Sequence, residues 1–331
     1  MEVPMETKLR KLGAGLLAGL AVTAVPLGLT GPAFAEPLRI AYTATALVYG
    51  PLWATQEAGL FKKYNLEVDK LLYIAGGTPS TQALIAGEVD LSFTAAGAVV
   101  AANLAGSDVV LIGATIDILP FEVWAAPTIK DPSQLKGTKM ARYILKKWGL
   151  KPVGDVVVFQ TGGMPEVFSA LRGGSIQSGV IDTGPFTLLA QKEGLVRLAD
   201  VSTMGLAYVF GPVAARQAFL RSRPDLASRF MRAYVEGIHR FKTDRRLALA
   251  VIEKYTKVKV TPATEQVYEI YAHRYIKRVP EATSEGIQTI LEEIAATRPL
   301  PPGVMPQRFV DSRFAREVIE SGFADALYRG R

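Results

Sequence analysis

Threonine hydroxyl groups recur in this chain at the points where predicted strands end. They belong to Thr43, Thr45, Thr78, Thr94, Thr161 and Thr183. The short apolar or alternating runs before these loops are typical of strands. Hydroxyl groups, the free N–H groups of helix starts and a few aromatic rings together suit a small polar or anionic molecule. These residues therefore predict binding chemistry.

The stretch 76–81, Gly-Gly-Thr-Pro-Ser-Thr, is central to this prediction. The apolar run 71–75 before it predicts a short buried strand, and residues 82–86 after it predict a helix. A Gly-Gly turn allows positive φ angles and a close approach of the backbone to a ligand. The hydroxyl groups that follow are expected to cap the helix, whose first N–H groups attract an anion. An ordinary strand-to-helix turn is the alternative.

Residues that could carry out a reaction are scarce. The chain has no cysteine, which excludes disulfides, thiolate metal sites and a cysteine nucleophile. Its two histidines, His239 and His273, fall in predicted helices. No phosphate-binding loop of the Walker type, no HExxH and no GxSxG sequence occurs. Because hydrolysis needs an activated nucleophile beside a base, we predict a protein that is not an enzyme and binds neither a cofactor nor a metal.

Composition places the chain among globular proteins. Of its 331 residues, enough for two domains, 49% are hydrophobic and 21% are charged. The formal net charge is +7, and it becomes +6 once the first 35 residues, with three basic and two acidic side chains, are removed. A moderately basic protein is compatible with an anionic ligand. No basic run with interleaved aromatic residues occurs, so we predict no nucleic-acid partner.

The N-terminus predicts export. Basic residues at positions 8, 10 and 11 precede the apolar run 12–29, and an Ala-x-Ala sequence ends at Ala35. This order is typical of a secretory signal peptide, here residues 1–35, cleaved before Glu36. A membrane anchor is the alternative, because the run is nearly long enough to span a bilayer. The proline and glycine near the end of the run and the cleavage sequence favour cleavage.

The first segments of the mature chain alternate between strand and helix. Residues 38–42 predict a strand, Pro51 opens a helix that Gly59 ends, and residues 66–68 predict a second strand. This order implies a parallel sheet. Ligands of such sheets bind outside the carboxyl ends of the strands, which is where the threonine-bearing loops fall.

A weak internal repeat relates residues 76–97 to residues 162–185. Each segment contains a Gly-Gly turn, a predicted helix, a glycine, a short predicted strand and a loop of small residues. Two similar α/β halves that face each other would explain the repeat. Coincidental placement of glycines between helices and strands is the alternative.

Several motifs follow one another in a fixed order along nearly the whole mature chain. They are Pro51-Leu52-Trp53-Ala54 with Gly59-Leu60-Phe61-Lys62-Lys63-Tyr64-Asn65-Leu66-Glu67-Val68, Gly76-Gly77 with Ala83-Leu84-Ile85-Ala86-Gly87-Glu88-Val89-Asp90, Ile129-Lys130-Asp131-Pro132 with Leu135-Lys136-Gly137, Leu145-Lys146-Lys147-Trp148-Gly149-Leu150, and Phe309 with Gly322-Phe323. In these motifs the chain resembles the periplasmic substrate-binding proteins of ABC importers for nitrate, sulfonates, taurine and thiamine precursors. Each motif is weak alone, and their order and spacing are fairly specific.

The resemblance implies an α/β, two-lobed periplasmic-binding-protein-like fold of type II, hinged, with mixed sheets flanked by helices. Lobe 1 would comprise residues 36–120 and, together with the C-terminal helices, residues 205–331, while lobe 2 would comprise residues 121–204. The chain departs from the family pattern after Lys139, where helical spacing replaces a strand and a ligand loop. Lobe 2 is therefore expected to be shortened by roughly a dozen residues, with an exposed sheet edge.

The resemblance further implies a monomeric periplasmic protein that captures a small polar or anionic ligand between its lobes and delivers it to the transmembrane subunits of an ABC permease. The residues expected to contact this ligand are Thr43, Thr45, Tyr49, Trp53, Gly77, Thr78, Thr94, Ala95, Gly163, Met164, Asp182 and Thr183. Asp182 is expected either to bind a ligand amine or hydroxyl or, preferably, to cap the helix that starts near Pro185. Three alternatives remain, namely a secreted binding or structural protein without transport, a degenerate copy that has lost binding, and an enzyme similar to thiamine-precursor synthases.

Overall fold

The computed structural model describes residues 36–135 and 164–329, which belong to one compact unit, Ala35–Arg331. The strands are β1 Glu36–Pro37, β2 Ile40–Tyr42, β3 Leu66–Glu67, β4 Leu72–Tyr73, β5 Leu91–Phe93, β6 Val109–Ile118, β7 Phe121–Ala125, β8 Ser178–Asp182, β9 Val196–Asp200 and β10 Ala207–Arg216. The α-helices are α1 Gly50–Glu57, α2 Leu60–Lys63, α3 Gly77–Ala86, α4 Ala96–Leu104, α5 Met164–Arg172, α6 Pro185–Lys192, α7 Gln217–Ser222, α8 Pro224–Thr243, α9 Arg245–Thr256, α10 Pro262–Ile270, α11 Ser284–Ala295, α12 Arg313–Glu320 and α13 Phe323–Arg329. Short helical turns of 3-10 or π geometry lie at Leu47–Tyr49, Pro132–Leu135, Val201–Thr203, Tyr271–Tyr275 and Pro306–Phe309. Within the two described ranges, every helix is too short or too polar to cross a membrane.

Five strands form the larger sheet, in the order β4-β2-β5-β10-β6. Strand β2 pairs in parallel with β4 and β5, and β10 runs antiparallel to both of its neighbours. The short strands β1 and β3 form a separate parallel pair. The strand-helix-strand order of the first segments therefore gives parallel pairing, as predicted, because each helix returns the chain to the end of the sheet where the next strand begins.

Three strands form the smaller sheet, in the order β8-β7-β9, and both pairings are antiparallel. Only Leu119 and Pro120 separate β6 from β7, and residues 201–206 lead from β9 back to β10. The chain therefore passes between the two sheets at these two short segments. Next to them, β10 pairs with β6 as far as Ala207 opposite Ile118, so the two connecting segments lie beside one another.

Helix α8 lies in the centre of the core around the larger sheet. It starts at Pro224, where the missing proline N–H costs no hydrogen bond. Apolar side chains at near-helical spacing form one fully buried face, and they are Leu226, Phe230, Tyr234 and Phe241. Phe230 and Tyr234 both pack edge-on against Phe93 of β5, which joins the helix to the sheet below the threonine-bearing loops.

The two halves of the sequence repeat both contain a helix followed by a strand. Helix α3 precedes β5 in the larger sheet, and α5 precedes β8 in the smaller sheet. Gly87 and Gly174 follow these helices with positive φ angles of 76° and 74°, a conformation that glycine adopts without strain. The shortening expected after Lys139, the signal peptide and Gly163 all lie outside the described residues.

Candidate functional site

Three loops meet at the carboxyl ends of β2, β4 and β5. The backbone N–H of Gly76 donates to the carbonyl oxygen of Thr43 over 3.4 Å. The hydroxyl of Thr94 donates to the carbonyl oxygen of Gly77 over 2.9 Å. The loop after β4 therefore bonds to the loop after β2 and to the loop after β5, as expected where the carboxyl ends of parallel strands meet.

The two glycines of the central turn have different roles. Gly76 adopts a φ angle of 91°, which confirms the positive φ predicted for this turn. A Cβ atom on Gly77 would lie 2.5 Å from the Cβ atom of Ala95, far inside normal contact. Gly77 is therefore required for the close approach of the loop 76–78 to the loop 94–97.

Helix α3 starts at Gly77, earlier than the predicted start at Gln82, and the predicted hydroxyl cap is wrong. Gly76 occupies the N-cap position, and no side chain caps the helix. Ser80 and Thr81 lie inside the first turns, where Ser80 bonds to the hydroxyl of Ser92 over 2.6 Å. The hydroxyl groups turn toward β5 because the close approach at Gly77 brings this strand within hydrogen-bonding distance.

Several hydroxyl groups of the loops hold the loops together. Thr94 is buried, and Tyr49, which is 5% exposed, shares a 2.8 Å hydrogen bond with the hydroxyl of Thr43. Burial raises the pKa of Tyr49 to about 12, so this hydroxyl stays protonated. Thr45, Thr78 and Ala95 are exposed and form the open surface of the cluster.

The starts of two helices point at this surface. Helix α3 begins at Gly77 and α4 begins at Ala96, and neither has an acidic residue in its first turn. The first N–H groups of a helix lack intrahelical acceptors and carry a partial positive charge. The loop segments 43–49, 75–78 and 94–97 contain no charged side chain. The surface therefore offers hydroxyl groups, N–H groups and two helix dipoles, but no formal charge.

Trp53 does not belong to this surface, contrary to the sequence prediction. Its side chain is 0% exposed and stacks on Tyr255 with ring centroids 5.0 Å apart. The reason is the orientation of α1, which packs closely against α8 and α9 and turns Trp53 toward them. The proline-led start of this helix is correct, because Pro51 lies in its first turn.

Asp182 and Thr183 lie elsewhere, at the end of β8 beside Tyr271 and Tyr275. The backbone N–H of Thr183 donates to the carbonyl oxygen of Pro120 over 2.8 Å, and its hydroxyl lies 3.3 Å from that of Tyr275. Burial raises the pKa of the Asp182 carboxyl, because desolvation disfavours its charged form. The Asp182 carboxyl interacts electrostatically with Tyr271.

The preferred role of Asp182 as a helix cap is wrong. Gly184 is the N-cap residue of α6, and its backbone N–H donates to the hydroxyl of Thr187 over 3.2 Å. A helix-capping residue must stand directly before the first turn, and Asp182 lies two positions too early. The alternative role toward a ligand is left open by this geometry.

Sequence reasoning missed the two tyrosines beside Asp182. Tyr271 and Tyr275 stand on the π-helical turn Tyr271–Tyr275 that follows α10. Their spacing from Tyr268 follows the helical period and could have indicated one shared aromatic face. The π geometry itself leaves no sequence signal, and such turns are frequent at functional sites.

The structure thus groups the predicted ligand residues into two clusters. The first, at the larger sheet, comprises Thr43, Thr45, Tyr49, Gly77, Thr78, Thr94 and Ala95, and it is the candidate site. The second, at the smaller sheet, comprises Asp182 and Thr183. Met164 is the first residue of α5.

Comparison with known proteins identifies relatives of this architecture. A family model described as NMT1/THI5 like matches residues 48–244. A search of curated proteins found no significant match.

Solved structures share the fold. The putative periplasmic sulfonate-binding protein SsuA of Methylobacillus flagellatus has a TM-score of 0.71 at 15% identity, over 88% of this chain and 96% of that chain. The alkanesulfonate-binding protein SsuA of Xanthomonas axonopodis, bound to MOPS, has a TM-score of 0.64 at 18% identity, over 84% and 98%. The nitrate-binding protein NrtA of Synechocystis has a TM-score of 0.66 at 12% identity, over 86% and 89%. The chain therefore has the mixed α/β fold of periplasmic binding proteins, and the similar structures are mostly binding proteins.

Proposed function

Because the chain belongs to the NMT1/THI5-like family, we propose that it is the solute-binding component of an ABC importer. In this role it captures a small polar or singly charged anionic molecule and delivers it to the transmembrane subunits of a permease. It acts as a monomer in the periplasm, after cleavage of the signal peptide before Glu36. The observation that carries the proposal is the cluster of three loops at the carboxyl ends of β2, β4 and β5.

The composition of these loops supports a ligand of low charge. Two helix starts face the exposed surface of Thr78 and Ala95, and each contributes at most about 2 kcal/mol to binding an anion. Micromolar affinity requires about 8 kcal/mol. The remainder must come from hydrogen bonds and from burial of the ligand. A doubly charged ligand would in addition need a cationic side chain, which the loops lack.

We assign that burial to closure of two lobes. Residues 36–120 and 205–331 form one lobe, residues 121–204 form the other, and the connections at Leu119-Pro120 and 201–206 act as the hinge. This division is consistent with the placement of the two sheets. In this two-lobed arrangement, Asp182 and Thr183 belong to the surface of the second lobe that faces the ligand. Asp182 then accepts a hydrogen bond from the ligand. Trp53 has no part in binding.

The same surface argues for binding without turnover. The exposed groups of the cluster are hydroxyls and backbone N–H groups, and no general base stands among residues 43–49, 75–78 and 94–97. We therefore expect a ligand to leave the protein chemically unchanged. A thiamine-precursor synthase, the enzymatic alternative, would instead consume its substrate.

Calorimetric titration with small sulfonates, taurine, nitrate, pyrimidines and aromatic carboxylates tests the proposal. The full chain is expressed with its leader and purified after export, and the recovered ligand is checked by NMR. One ligand class should bind saturably and be recovered unchanged. Its absence, or conversion of the ligand, contradicts the proposal.

A charge substitution locates the site. Thr78→Glu puts a carboxylate in the first turn of α3, where it stabilises the helix but repels an anion. Gln82→Glu, also exposed and one turn further along α3, is the matched control. We expect the Kd to rise at least about tenfold for Thr78→Glu, equal to about 1.4 kcal/mol, and to change little for Gln82→Glu. Equal affinities in the two variants would place the ligand elsewhere.

A further inference from the structure

A second polar region lies at the opposite end of the larger sheet from the three loops. Ala215 of β10 pairs with Val110 of β6 on one side and with Leu91, the first residue of β5, on the other. Val110 therefore lies level with the start of β5. The cluster of loops follows the last residue of β5. A cavity of about 610 Å³ opens beside Val110, so it is separated from the candidate ligand site by the length of the sheet.

Arginines dominate the lining of this cavity. They are Arg221, Arg308, Arg313 and Arg316, and Asp311 is the one acidic residue among the described residues that line it. Arg313 pairs with Asp311 over 3.0 Å, so these two charges compensate each other. The cavity therefore retains the charge of three guanidinium groups.

Neutral acceptors hold the three remaining guanidinium groups in place. Arg308 donates through Nε to the Oδ1 of Asn103 over 2.8 Å and through a terminal nitrogen to the backbone oxygen of the same residue over 3.1 Å. This fork fixes the plane of the guanidinium without neutralising it. Arg308 therefore presents a charge that is already oriented.

Arg221 and Arg316 are each held by the side chain four positions earlier. This residue is the first of α7 for Arg221 and the N-cap of α12 for Arg316. Arg221 donates to the side-chain oxygen of Gln217 over 3.2 Å, and Arg316 donates to the hydroxyl of Ser312 over 2.6 Å. Each uses one of its five N–H donors in this bond. The other donors stay available to a ligand.

The boundary of the charged region is defined by an adjoining cavity. That cavity, of about 450 Å³, shares Arg316 with the first cavity, and its lining includes Glu281 and Glu285. An anion is therefore favoured on the side of Arg221 and Arg308 and disfavoured beyond Arg316. The positive region is local rather than a general property of this surface.

The cavity lined by Arg221, Arg308 and Arg316 is called the arginine groove. We propose that the arginine groove binds a phosphate-class oxyanion that carries at least two negative charges. Three like charges around one cavity repel each other, and a polyanion compensates them where a single charge does not. Guanidinium groups bind phosphate oxygens through paired, charge-assisted hydrogen bonds. The ligand can be a free phosphate compound or a lipid whose headgroup is a phosphomonoester, such as phosphatidic acid, because both present a terminal phosphate with about two negative charges.

Titration with inorganic pyrophosphate tests the groove, and the full chain purified after export is used. The double variant Arg221→Gln/Arg316→Gln removes two exposed charges that hold no structural ion pair. The double variant Arg246→Gln/Arg298→Gln removes two exposed charges elsewhere and is the matched control. We expect saturable binding at about 20 mM salt that weakens as ionic strength rises. The groove variant should bind at least about tenfold more weakly, and the control should bind like wild type.

A second arm distinguishes the source of the phosphate. Co-sedimentation compares vesicles of phosphatidic acid and phosphatidylcholine with vesicles of phosphatidylcholine alone. Binding to the anionic vesicles that the groove variant loses, without binding of pyrophosphate, supports the groove with a lipid headgroup as its ligand. Equal affinities of the two double variants, whether both are weakened or neither is, overturn the proposal. The absence of binding in both arms overturns it as well. Melting temperatures of both variants verify that they are folded.

Discussion

Substitution of Gly77 by alanine tests whether the three loops are held by a close backbone approach. The new Cβ atom would lie 2.5 Å from the Cβ atom of Ala95, whereas carbon atoms in contact prefer about 3.5–4.0 Å. The two loops must therefore separate by about 1 Å. Overpacking of this kind costs about 1–3 kcal/mol, and the better helix propensity of alanine returns at most about 1 kcal/mol.

We therefore expect Gly77→Ala to lower the free energy of unfolding by about 1–2 kcal/mol. Equilibrium urea unfolding followed by tryptophan fluorescence measures this change. The ligand Kd should rise in the same variant, because the separation moves Thr78 away from Ala95. Gly97→Ala is the matched control, since a Cβ atom on Gly97 meets nothing within 4 Å. It should leave stability unchanged or raise it.

A double-mutant cycle isolates the clash. Ala95→Gly removes the methyl group that the new side chain meets, and the next atoms, the Ala95 backbone N and Cα, are 3.3 and 3.4 Å away. The pair Gly77→Ala/Ala95→Gly should therefore show a favourable coupling energy of about 0.5–2 kcal/mol. If Gly77→Ala is as stable as Gly97→Ala, or if no coupling is found, the close approach does not hold the loops.

Two further predictions concern buried charge. Lys242 donates to the carbonyl oxygens of Ala272 and Ile276, and desolvation, followed by Arg278, lowers its pKa from 10.5 to about 8. The folded state then binds fewer protons than the unfolded state between these values, so its stability rises with pH there. Urea unfolding between about pH 8 and 9.5 should show this rise in wild type and a smaller rise in Lys242→Met, and identical slopes would contradict it. Lys63 donates to both carboxylate oxygens of Glu236 over 2.8 and 2.7 Å. Because Lys63 is half-exposed, its replacement by methionine should lower the free energy of unfolding by about 1–2 kcal/mol. The exposed neighbour Lys62→Met should stay within about 0.5 kcal/mol, and equal losses would show that the ion pair does not matter.

Local features of the chain were predictable where one residue type decides the backbone. The positive φ of Gly76 and the proline-led start of α1 at Pro51 follow from the conformational limits of glycine and proline. The parallel pairing of β2 with its neighbours follows from the strand-helix-strand order. Each of these depends on a few adjacent residues, which the sequence shows directly.

Predictions failed where neighbours distant in sequence decide the outcome. Trp53 was expected at the ligand surface, but contacts with α8 and α9 bury it against Tyr255. The hydroxyls of Ser80 and Thr81 were expected to cap α3, but the close approach at Gly77 draws the helix start back and turns Ser80 toward Ser92. Local propensity predicts a cap or an exposed ring, and tertiary packing overrides it.

The sequence by itself determined the class of fold, the order of strands and helices, and the place of the threonine-bearing loops at the carboxyl ends of strands. The order of the elements and the positions of the loops follow from hydrophobic periodicity and from glycine and proline, which act over a few residues, whereas the class of fold follows from the resemblance of the motifs to a known family. Only the tertiary structure decided which hydroxyls are exposed, that Asp182 lies beside Tyr271, and that Arg221, Arg308 and Arg316 share one cavity. These groups are far apart in the chain, and their distances depend on how the sheets and helices pack.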